Sequence, residues 1–364
     1  MKIKDISSFL EELAPPALQE SYDNSGLLIG NPDAGIDHVL ICLDLTMEVL
    51  DEAIRDGIGL IISHHPLIFS GMKRLTGANA TERIVMKAIK NDVAVYAIHT
   101  NLDNVREGVN AILCEKLGIE KTSILRPVSG VLNKLVTFCP EDHAQKVRKA
   151  LFKAGAGQIG NYDNCSYNLE GYGTFRAGEG SKPFVGEQGK VHREDETRIE
   201  VIFPDHVMDR LIRALQAAHP YEAAAYDIYP LKNDFPTAGA GMIGTLATPL
   251  DDDAFLKMLK STLGTGVVRH SPLPGKKIHK VAVCGGSGSF LIRDAMAAGA
   301  DAFVTGDMKY HQFFETEGRM LIADAGHFET EQFTKELIYS MLNEKFPNFA
   351  LRISQINTNA VHYF

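Results

Sequence analysis

The chain has 364 residues, of which 37 are basic, 46 are acidic and 45% are hydrophobic, so its net charge is -9. This length exceeds what one hydrophobic core usually organises, and we expect about two domains. Binding to phosphate backbones requires clustered lysine and arginine, but here the basic residues are scattered among acids. The composition therefore disfavours nucleic acid as the main partner.

Cysteine spacing and the N-terminal segment indicate the compartment. The five cysteines form no C-x-x-C pair, and most of them lie in apolar runs. The N-terminal segment meets acidic residues before any sustained apolar stretch, and no apolar run approaches the ~18 residues of a membrane span. We therefore expect a reduced, cytoplasmic protein with no membrane partner.

The first predicted elements form a β-α-β unit. Residues 39–44 form an apolar run typical of a buried strand, residues 46–56 have the apolar spacing of a helix, and residues 59–63 form the next strand. Two histidines, His64 and His65, follow this strand directly. Asp103 lies in a second break of the chain, which begins at His99.

The order of predicted strands and helices changes over residues 126–232. Strands are predicted at 134–139, 167–176, 198–203 and 223–229, and helices at 140–154 and 204–218. This β-α-β-β-α-β order is that of a ferredoxin-like module, so we expect an inserted domain at 126–232 within a discontinuous domain formed by 1–125 and 233–364. Residues 178–196 are expected to form an exposed excursion on the insert.

A second β-α-β unit follows, with strand 281–284, a glycine-rich turn at 285–288, helix 290–298 and strand 302–305. It aligns with the first unit without gaps, residue 281 on residue 39 and residue 305 on residue 63. Either this pattern is the one that any two such units share, or the halves are duplicated and face a common crevice. In both cases the fold class is α/β, and ligands are expected outside the carboxyl ends of the strands.

A third polar break begins at residue 324 and starts a helix. His327 and Glu331 are spaced i, i+4 there, which places both side chains on one helix face. Neighbouring imidazoles suit two different metals, and a helical carboxylate can bridge two ions. The sequence therefore predicts a metal centre built by five protein ligands: His64, His65, Asp103, His327 and Glu331.

These donors also predict the type of site. Mixed nitrogen and oxygen ligands suit divalent zinc, our first choice, or manganese or iron(II), and argue against a thiolate or calcium site. Five protein ligands shared by two ions leave open positions for water or substrate, as in catalytic rather than structural sites.

The other histidines and the glycine-rich turn are expected to have supporting roles. His99 is either a sixth ligand or a group that orients Asp103, and we favour the second interpretation. His311 either lines the pocket as an acid or base or is an exposed helix residue. The turn at 285–288 lacks the Lys-Ser/Thr ending of a P-loop and is interpreted as a tight turn with modest anion-binding potential. Histidines of the insert are expected to be structural or exposed, namely His143, His206 and His219.

Four motifs carry a family resemblance: S-H-H-P-L-I-F at 63–69, H-T-N-L-D at 99–103, T-G-D at 305–307 with His311, and G-H-F-E-T-E at 326–331. They resemble the signature of the Nif-three-like dinuclear metal proteins, also called GTP cyclohydrolase 1 type 2 homologs. The segment Y-D-N-S-G at 22–26 is similar to that family's W-D-N-x-G element, with Tyr22 in place of the usual tryptophan. The insert resembles the CutA-like or P-two-like module of longer family members.

The resemblance implies a dinuclear centre held by the five ligands named above and a ring-shaped homohexamer. It also implies a GTP cyclohydrolase activity, in which metal-activated water opens the purine imidazole ring. His311 or His99 would then move protons, and Lys309 or the Gly285 turn would hold phosphate. Two alternatives stay open at this point: a metal-dependent phosphoesterase, and a metal-binding regulatory or scaffold assembly whose insert senses an effector.

Overall fold

Strands and helices alternate along the chain in a computed structural model that describes residues 1–363. Within these residues the strands are β1 Gly26–Ile29, β2 His38–Cys42, β3 Leu60–Ser63, β4 Ala94–Ala97, β5 Ile119–Ser129, β6 Leu132–Pro140, β7 Tyr167–Arg176, β8 Val191–Pro204, β9 Tyr226–Pro230, β10 Asp234–Leu250, β11 Arg269–His270, β12 Ile278–Ser287, β13 Ala302–Gly306, β14 Leu321–Asp324 and β15 Ala350–Ile353.

The helices lie between these strands, and none within residues 1–363 combines the length and apolar character needed to cross a membrane. They are α1 Ile3–Leu13, α2 Met47–Arg55, α3 Ala80–Lys90, α4 Thr100–Asp103, α5 Val109–Lys116, α6 Ala144–Lys153, α7 Met208–Ala218, α8 Asp252–Leu263, α9 Ile292–Ala297, α10 His327–Glu331 and α11 Thr334–Lys345. Predicted helices at 140–154, 204–218 and 290–298 each begin with a short 3-10 turn instead, at Glu141–His143, Asp205–Val207 and Ser289–Leu291.

The chain divides into two compact units. The larger unit consists of Met1–Pro127 and the chain from Thr237 onward, and the smaller unit is Val128–Pro236. The predicted insert begins at residue 126 and ends at residue 232. The smaller unit begins two residues later than predicted and ends four residues later than predicted.

Two sheets build the larger unit and give it the α/β fold. One has the strand order β1-β4-β3-β2-β15, and the other has the order β11-β14-β13-β12-β10-β5. Strands β2, β3 and β4 are parallel and almost wholly buried, because their β-branched and aliphatic side chains are covered on both faces. Parallel strands end at the same edge of a sheet, so the residues after β3 and β4 meet there.

The central strand pairs of the two sheets have matching registers. Val39 of β2 lies beside Leu60 of β3, and Val281 of β12 lies beside Ala302 of β13. Both pairs are parallel, as the aligned β-α-β units of the sequence predict.

The smaller unit has its elements in the order β6-α6-β7-β8-α7-β9. Its antiparallel sheet has the strand order β7-β8-β6-β9, and the helices pack on one face through a core that includes Leu135, Val201 and Phe203. The predicted excursion 178–196 is wrong in its second part, because β8 begins at Val191 and pairs with β7. Charged side chains on the strand mask its alternation in the sequence.

Candidate metal centre

Strand ends and one short helix position the predicted ligands within the larger unit. His64 and His65 follow β3 directly, Asp103 ends α4 after β4, and His327 and Glu331 are the first and last residues of α10 after β14. Thr305 and Asp324 are neighbours in the parallel pair β13 and β14, which places α10 at the carboxyl edge of that sheet.

Folding gathers the five predicted ligands. The ligand atoms of His65, His327 and Glu331 lie within 4.8 Å of one another, and so do those of His64, Asp103 and Glu331. Glu331 belongs to both groups. Its Oε2 atom is 3.0 Å from Nε2 of His65 and 3.0 Å from Nε2 of His327, whereas its Oε1 atom is 3.9 Å from Nε2 of His64. The two carboxylate oxygens therefore face different ligand groups, as in a bridging carboxylate.

Hydrogen bonds fix the orientation of every imidazole at this centre. Each Nδ1 atom faces an acceptor that cannot itself donate, so Nδ1 carries the proton and the lone pair of a neutral ring is on Nε2. Partners of this kind orient metal-bound histidines and raise their basicity. The acceptors are the carbonyl oxygen of Ile98 for His64 at 2.8 Å, Asp44 Oδ1 for His65 at 2.7 Å, Asp23 Oδ1 for His99 at 2.8 Å and Asp307 Oδ2 for His327 at 2.7 Å.

Three buried polar atoms at the centre have no hydrogen-bond partner among the described residues. They are Nε2 of His64, Oδ1 of Asp103 and Oε2 of Glu331. Each unsatisfied buried group costs about 1–3 kcal/mol, and these three belong to one cluster of ligand atoms. Divalent cations at the two ligand groups would satisfy these three atoms, so the residues present fit metal ions.

The charges of the cluster also favour a bound cation. Burial alone would lower the pKa of His65, but Asp44 and Glu331 raise this pKa to about 10. Burial would also lower the pKa of His327, but Glu331 and Asp307 raise it to about 9. Burial and the charge of Glu331 raise the pKa of Asp103, whereas the imidazoles overcome burial and lower the pKa of Glu331. The site thus attracts positive charge, which protons or metal ions can supply.

His99 lies closer to the centre than the favoured interpretation placed it. Its ligand atom lies within 4.8 Å of those of His64 and His65, and its ring is 5.2 Å from each of theirs. Asp23 holds Nδ1 of His99 and also accepts hydrogen bonds from Thr100. His99 can therefore act as a further ligand or exchange a proton through Nε2.

His311 and Lys309 are not brought into this cluster. Both side chains are exposed, and His311 contacts the ring of Tyr310 at a centroid distance of 5.2 Å. Neither residue lines the two cavities that reach His65 and His327 in the described part of the chain. The roles predicted for them stay predictions without support from this geometry.

The expected anion-binding potential of the turn at 285–288 is wrong. The backbone N–H groups of Gly285, Gly286 and Gly288 already donate within the protein, so they cannot cradle a phosphate. The turn has a different use: a Cβ atom on Gly286 would lie 2.2 Å from Oε1 of Glu331, so only glycine lets that carboxylate approach. The donations run from Gly285 to Asn110 at 2.9 Å, from Gly286 to Thr330 at 3.0 Å and from Gly288 to Thr305 at 2.8 Å.

A cavity of about 270 Å³ opens onto the cluster, and its wall includes His65, His99, Asp103, His327 and Glu331. Three aromatic side chains also line it and are more than half exposed: Tyr22 at 66%, Phe69 at 53% and Phe290 at 51%. A second cavity of about 530 Å³ reaches His65 and His327 beside Asp44 and Asp307.

Sequence reasoning missed Asp44 and Phe290, and it quoted Asp307 and Phe69 only as members of motifs, without a role. Asp44 follows β2 closely, at the same sheet edge as His65, and this position was the available signal for it. A lone aspartate after a strand is too common to be recognised without the fold.

Comparisons with known proteins agree with the motifs. The chain is 37% identical over 362 residues to the GTP cyclohydrolase 1 type 2 homolog of Bacillus subtilis, covering 98% of this chain and 97% of the relative. It is 38% identical over 360 residues to the protein of the same name from Halalkalibacterium halodurans, covering 97% and 96%.

Solved structures extend the match to the fold. A Bacillus cereus protein related to NIF3 superposes with a TM-score of 0.87 at 40% identity, covering 100% of this chain and 99% of that one. A Staphylococcus aureus protein gives a TM-score of 0.79 at 32% identity, with coverages of 100% and 99%. The model of the Duf34/NIF3 (NGG1p interacting factor 3) family matches residues 1–360, and the chain belongs to this family.

Proposed function

We propose that the protein is a dinuclear metal-dependent hydrolase acting on a planar nitrogen heterocycle. The observation that carries the proposal is the position of Glu331, whose carboxylate belongs to two ligand groups beside an open cavity. Two bound divalent ions would supply Lewis acidity and a water molecule activated at neutral pH. Zinc is the first choice, with manganese or iron(II) as alternatives.

His99 is the best placed proton carrier in this proposal. Its Nδ1 donates to Asp23, which fixes the ring, and its Nε2 is left to accept a proton at the cavity that contains the ligands. This argument selects His99 over the exposed His311.

The aromatic residues at the cavity indicate the substrate class. Tyr22, Phe69 and Phe290 present ring surface to the cavity that contains the ligands, and planar bases stack on such rings. Bound ions would neutralise the carboxylates of Asp103 and Glu331 in the same wall, whereas the carboxylate of Glu20 is outside the ligand set and repels phosphate. The wall therefore favours contact with a base ring over contact with a triphosphate.

The name of the curated relatives suggests purine ring opening as the reaction. Water adds at C8 of the purine, the C8–N9 bond breaks to give a formamide, and a further water releases C8 as formate. A metal-dependent phosphoesterase is the sibling candidate, because paired ions can hold the attacking and leaving oxygens of a phosphoester. Formate release and phosphate release distinguish the two reactions.

Glu331→Gln tests the proposal, with Glu336→Gln on the exposed face of α11 as the matched control. The first variant removes the shared charge, so we expect it to lose bound metal and formate release from GTP or guanosine together. Glu336→Gln should keep both. Full turnover by Glu331→Gln without metal, or no turnover of any purine or phosphoester by metal-loaded wild type, would contradict the proposal.

We also propose the assembly that the family resemblance implies, a ring-shaped homohexamer in the cytoplasm. Native mass spectrometry of the full chain tests the subunit number, and a mass other than that of six chains contradicts it.

A regulatory assembly is the second candidate function. One observation favours it: the smaller unit has its own cavity of about 670 Å³, lined by aromatic and acidic side chains and containing none of the candidate metal ligands. A ligand bound there would make this unit a sensor.

A further inference from the structure

The cavity of the smaller unit lies on the face of its sheet that is not covered by α6 and α7. Its volume of about 670 Å³ is typical of sites for metabolite-sized molecules. Apolar and aromatic side chains form most of the lining, and a few polar groups are placed among them. The lining includes Phe138, Phe175, Phe184, Glu196, Arg198 and Tyr221.

Two glycines of β7 leave room over the sheet. Gly171 is paired with Glu196 of β8, and Gly173 is paired with Glu194, so each lies opposite a carboxylate on the cavity side. A Cβ atom built on Gly171 meets nothing within 4 Å, whereas one on Gly173 would lie 2.3 Å from Oε2 of Glu196. The strand thus leaves open space at Gly171, and at Gly173 the absence of a side chain lets the carboxylate of Glu196 lie close to the backbone.

Glu196 is the acidic group best placed to meet a ligand. Tyr221 donates a hydrogen bond from its hydroxyl to Oε1 of Glu196 at 2.9 Å. No ion pair within the described residues engages Glu196, although its neighbours on β8 are paired, Arg193 with Asp195 and Arg198 with Glu200. Its carboxylate is only partly exposed, so it lacks full hydration as well as a cationic partner.

The charge of the cavity wall is negative. Glu170, Glu196 and Glu222 contribute carboxylates, and Arg198 contributes the opposing charge. The guanidinium of Arg198 donates to Glu200 from two nitrogens, at 2.9 Å and 2.8 Å, and Lys134 pairs with the same carboxylate, so three carboxylates of the wall face one partly compensated guanidinium. The wall is therefore complementary to a cation.

Aromatic rings line the same cavity as this carboxylate. The ring of Tyr221 lies 6.0 Å from that of Phe175 and 6.2 Å from that of Phe184. Rings at such positions attract an organic cation through their π faces and bury its alkyl groups, whereas a small hydrated metal ion gains little from them.

We propose that this cavity binds an organic ammonium ion with an apolar body, its charged head at Glu196 and its body among Phe175, Phe184 and Tyr221. The site is independent of the metal centre and of the hydrolase proposal, since all its residues belong to the smaller unit.

Three probes with the same phenyl body test the charge preference: 2-phenylethylammonium, 2-phenylethanol and 3-phenylpropionate. Binding to the full chain is measured by calorimetry and ligand-observed NMR. We expect the ammonium ion to bind on the order of tenfold more tightly than the alcohol, because only the ammonium ion adds an opposite charge to its hydrogen bond with Glu196. The carboxylate should not bind.

Two variants locate the site. Glu196→Gln keeps the size of the side chain and removes its charge, so ammonium affinity should fall on the order of tenfold while alcohol binding stays unchanged. Gly171→Val fills open space and suits a strand, so it should fold normally and lose both ligands. Asp195→Asn on the same strand is the control and should bind like wild type.

Equal binding of ammonium ion and alcohol, tighter binding of the carboxylate, absence of ammonium binding, or ammonium binding that neither variant weakens would each overturn the proposal. Thermal melting of both variants with the wild-type midpoint ensures that a loss of binding reports on the cavity.

Discussion

The Nε2 atoms of His65 and His327 face each other at 3.2 Å, although the residues lie 262 positions apart in the chain. Each ring donates its Nδ1 proton to an aspartate, His65 to Asp44 and His327 to Asp307. Two imidazole nitrogens at this distance need a proton or a metal ion between them. Oε2 of Glu331, 3.0 Å from both, makes the metal ion the better occupant.

Asp44 should tune metal affinity without being a ligand. We expect Asp44→Asn to weaken binding of a divalent ion about 10–100-fold, because a neutral amide supports the basicity of His65 less than a carboxylate does. Competition with a chromogenic chelator measures this change. Asp51→Asn, on the exposed face of α2, is the control and should bind metal like wild type. Equal metal affinity for Asp44→Asn and wild type would remove this role.

The aromatic residues at the cavity should affect substrate binding more than the chemical step. Phe69→Ala and Phe290→Ala should each raise KM for a purine substrate about 5–100-fold, because base stacking contributes about 1–3 kcal/mol. Steady-state kinetics measure KM and kcat, and bound metal should be unchanged. Phe314→Ala, 62% exposed and outside the cavity lining, is the control. A fall in kcat with unchanged KM would contradict a stacking role.

Thiol reactivity should single out Cys165. The other four cysteines are buried, and burial raises the pKa of Cys114 to about 12 and that of Cys139 to about 11. The thiolate is the nucleophile, so iodoacetamide at pH 8 should label Cys165 first in the native protein. Peptide mass spectrometry identifies the site. Early labelling of Cys114 or Cys139 would contradict this order.

Asp301 should stabilise the fold in a pH-dependent way. It accepts backbone hydrogen bonds from His279 at 3.0 Å and Lys280 at 2.9 Å at the start of β12. Burial opposes ionisation, but these donors and Lys276 lower the pKa of Asp301 below its usual 3.8. Its stabilisation is therefore fully present above pH 3.8 and disappears as the pH falls through the lowered pKa.

Asp301→Ala tests this dependence. We expect a loss of about 1–3 kcal/mol in the free energy of unfolding at pH 7, because two backbone donors lose their acceptor. Chemical denaturation at a series of pH values should show the gap to wild type closing in acid. Asp195→Ala, 73% exposed, is the control and should change stability little. A gap that is constant with pH would show that the charge of Asp301 does not stabilise the fold.

The sequence predicts those features of the site that depend on local patterns, and it does not predict contacts between residues that are distant in the chain. His64, His65 and the α10 pair are visible because polar residues interrupt apolar strands and a helix spacing aligns two donors. The contacts of Asp44 and Asp307 are not visible, since each aspartate accepts a hydrogen bond from a histidine about twenty residues away in the chain.

The same distinction between local patterns and distant contacts applies to the strands of the fold. Short buried strands such as β3 are continuous apolar runs, and these are recognised from sequence. The 17-residue strand β10 is rich in glycine, alanine and threonine, so its pairing with β12 rather than its own composition makes it a strand. The turn at 285–288 was misread because its N–H partners, Asn110 among them, are distant in the chain.

Anomalous diffraction from crystals of the metal-loaded protein tests the dinuclear centre most directly. We expect two peaks, one among His65, His327 and Glu331 and the other among His64, Asp103 and Glu331, with the carboxylate of Glu331 between them. A single peak, or peaks that do not contact Glu331, would contradict the dinuclear centre on which the proposed hydrolase depends.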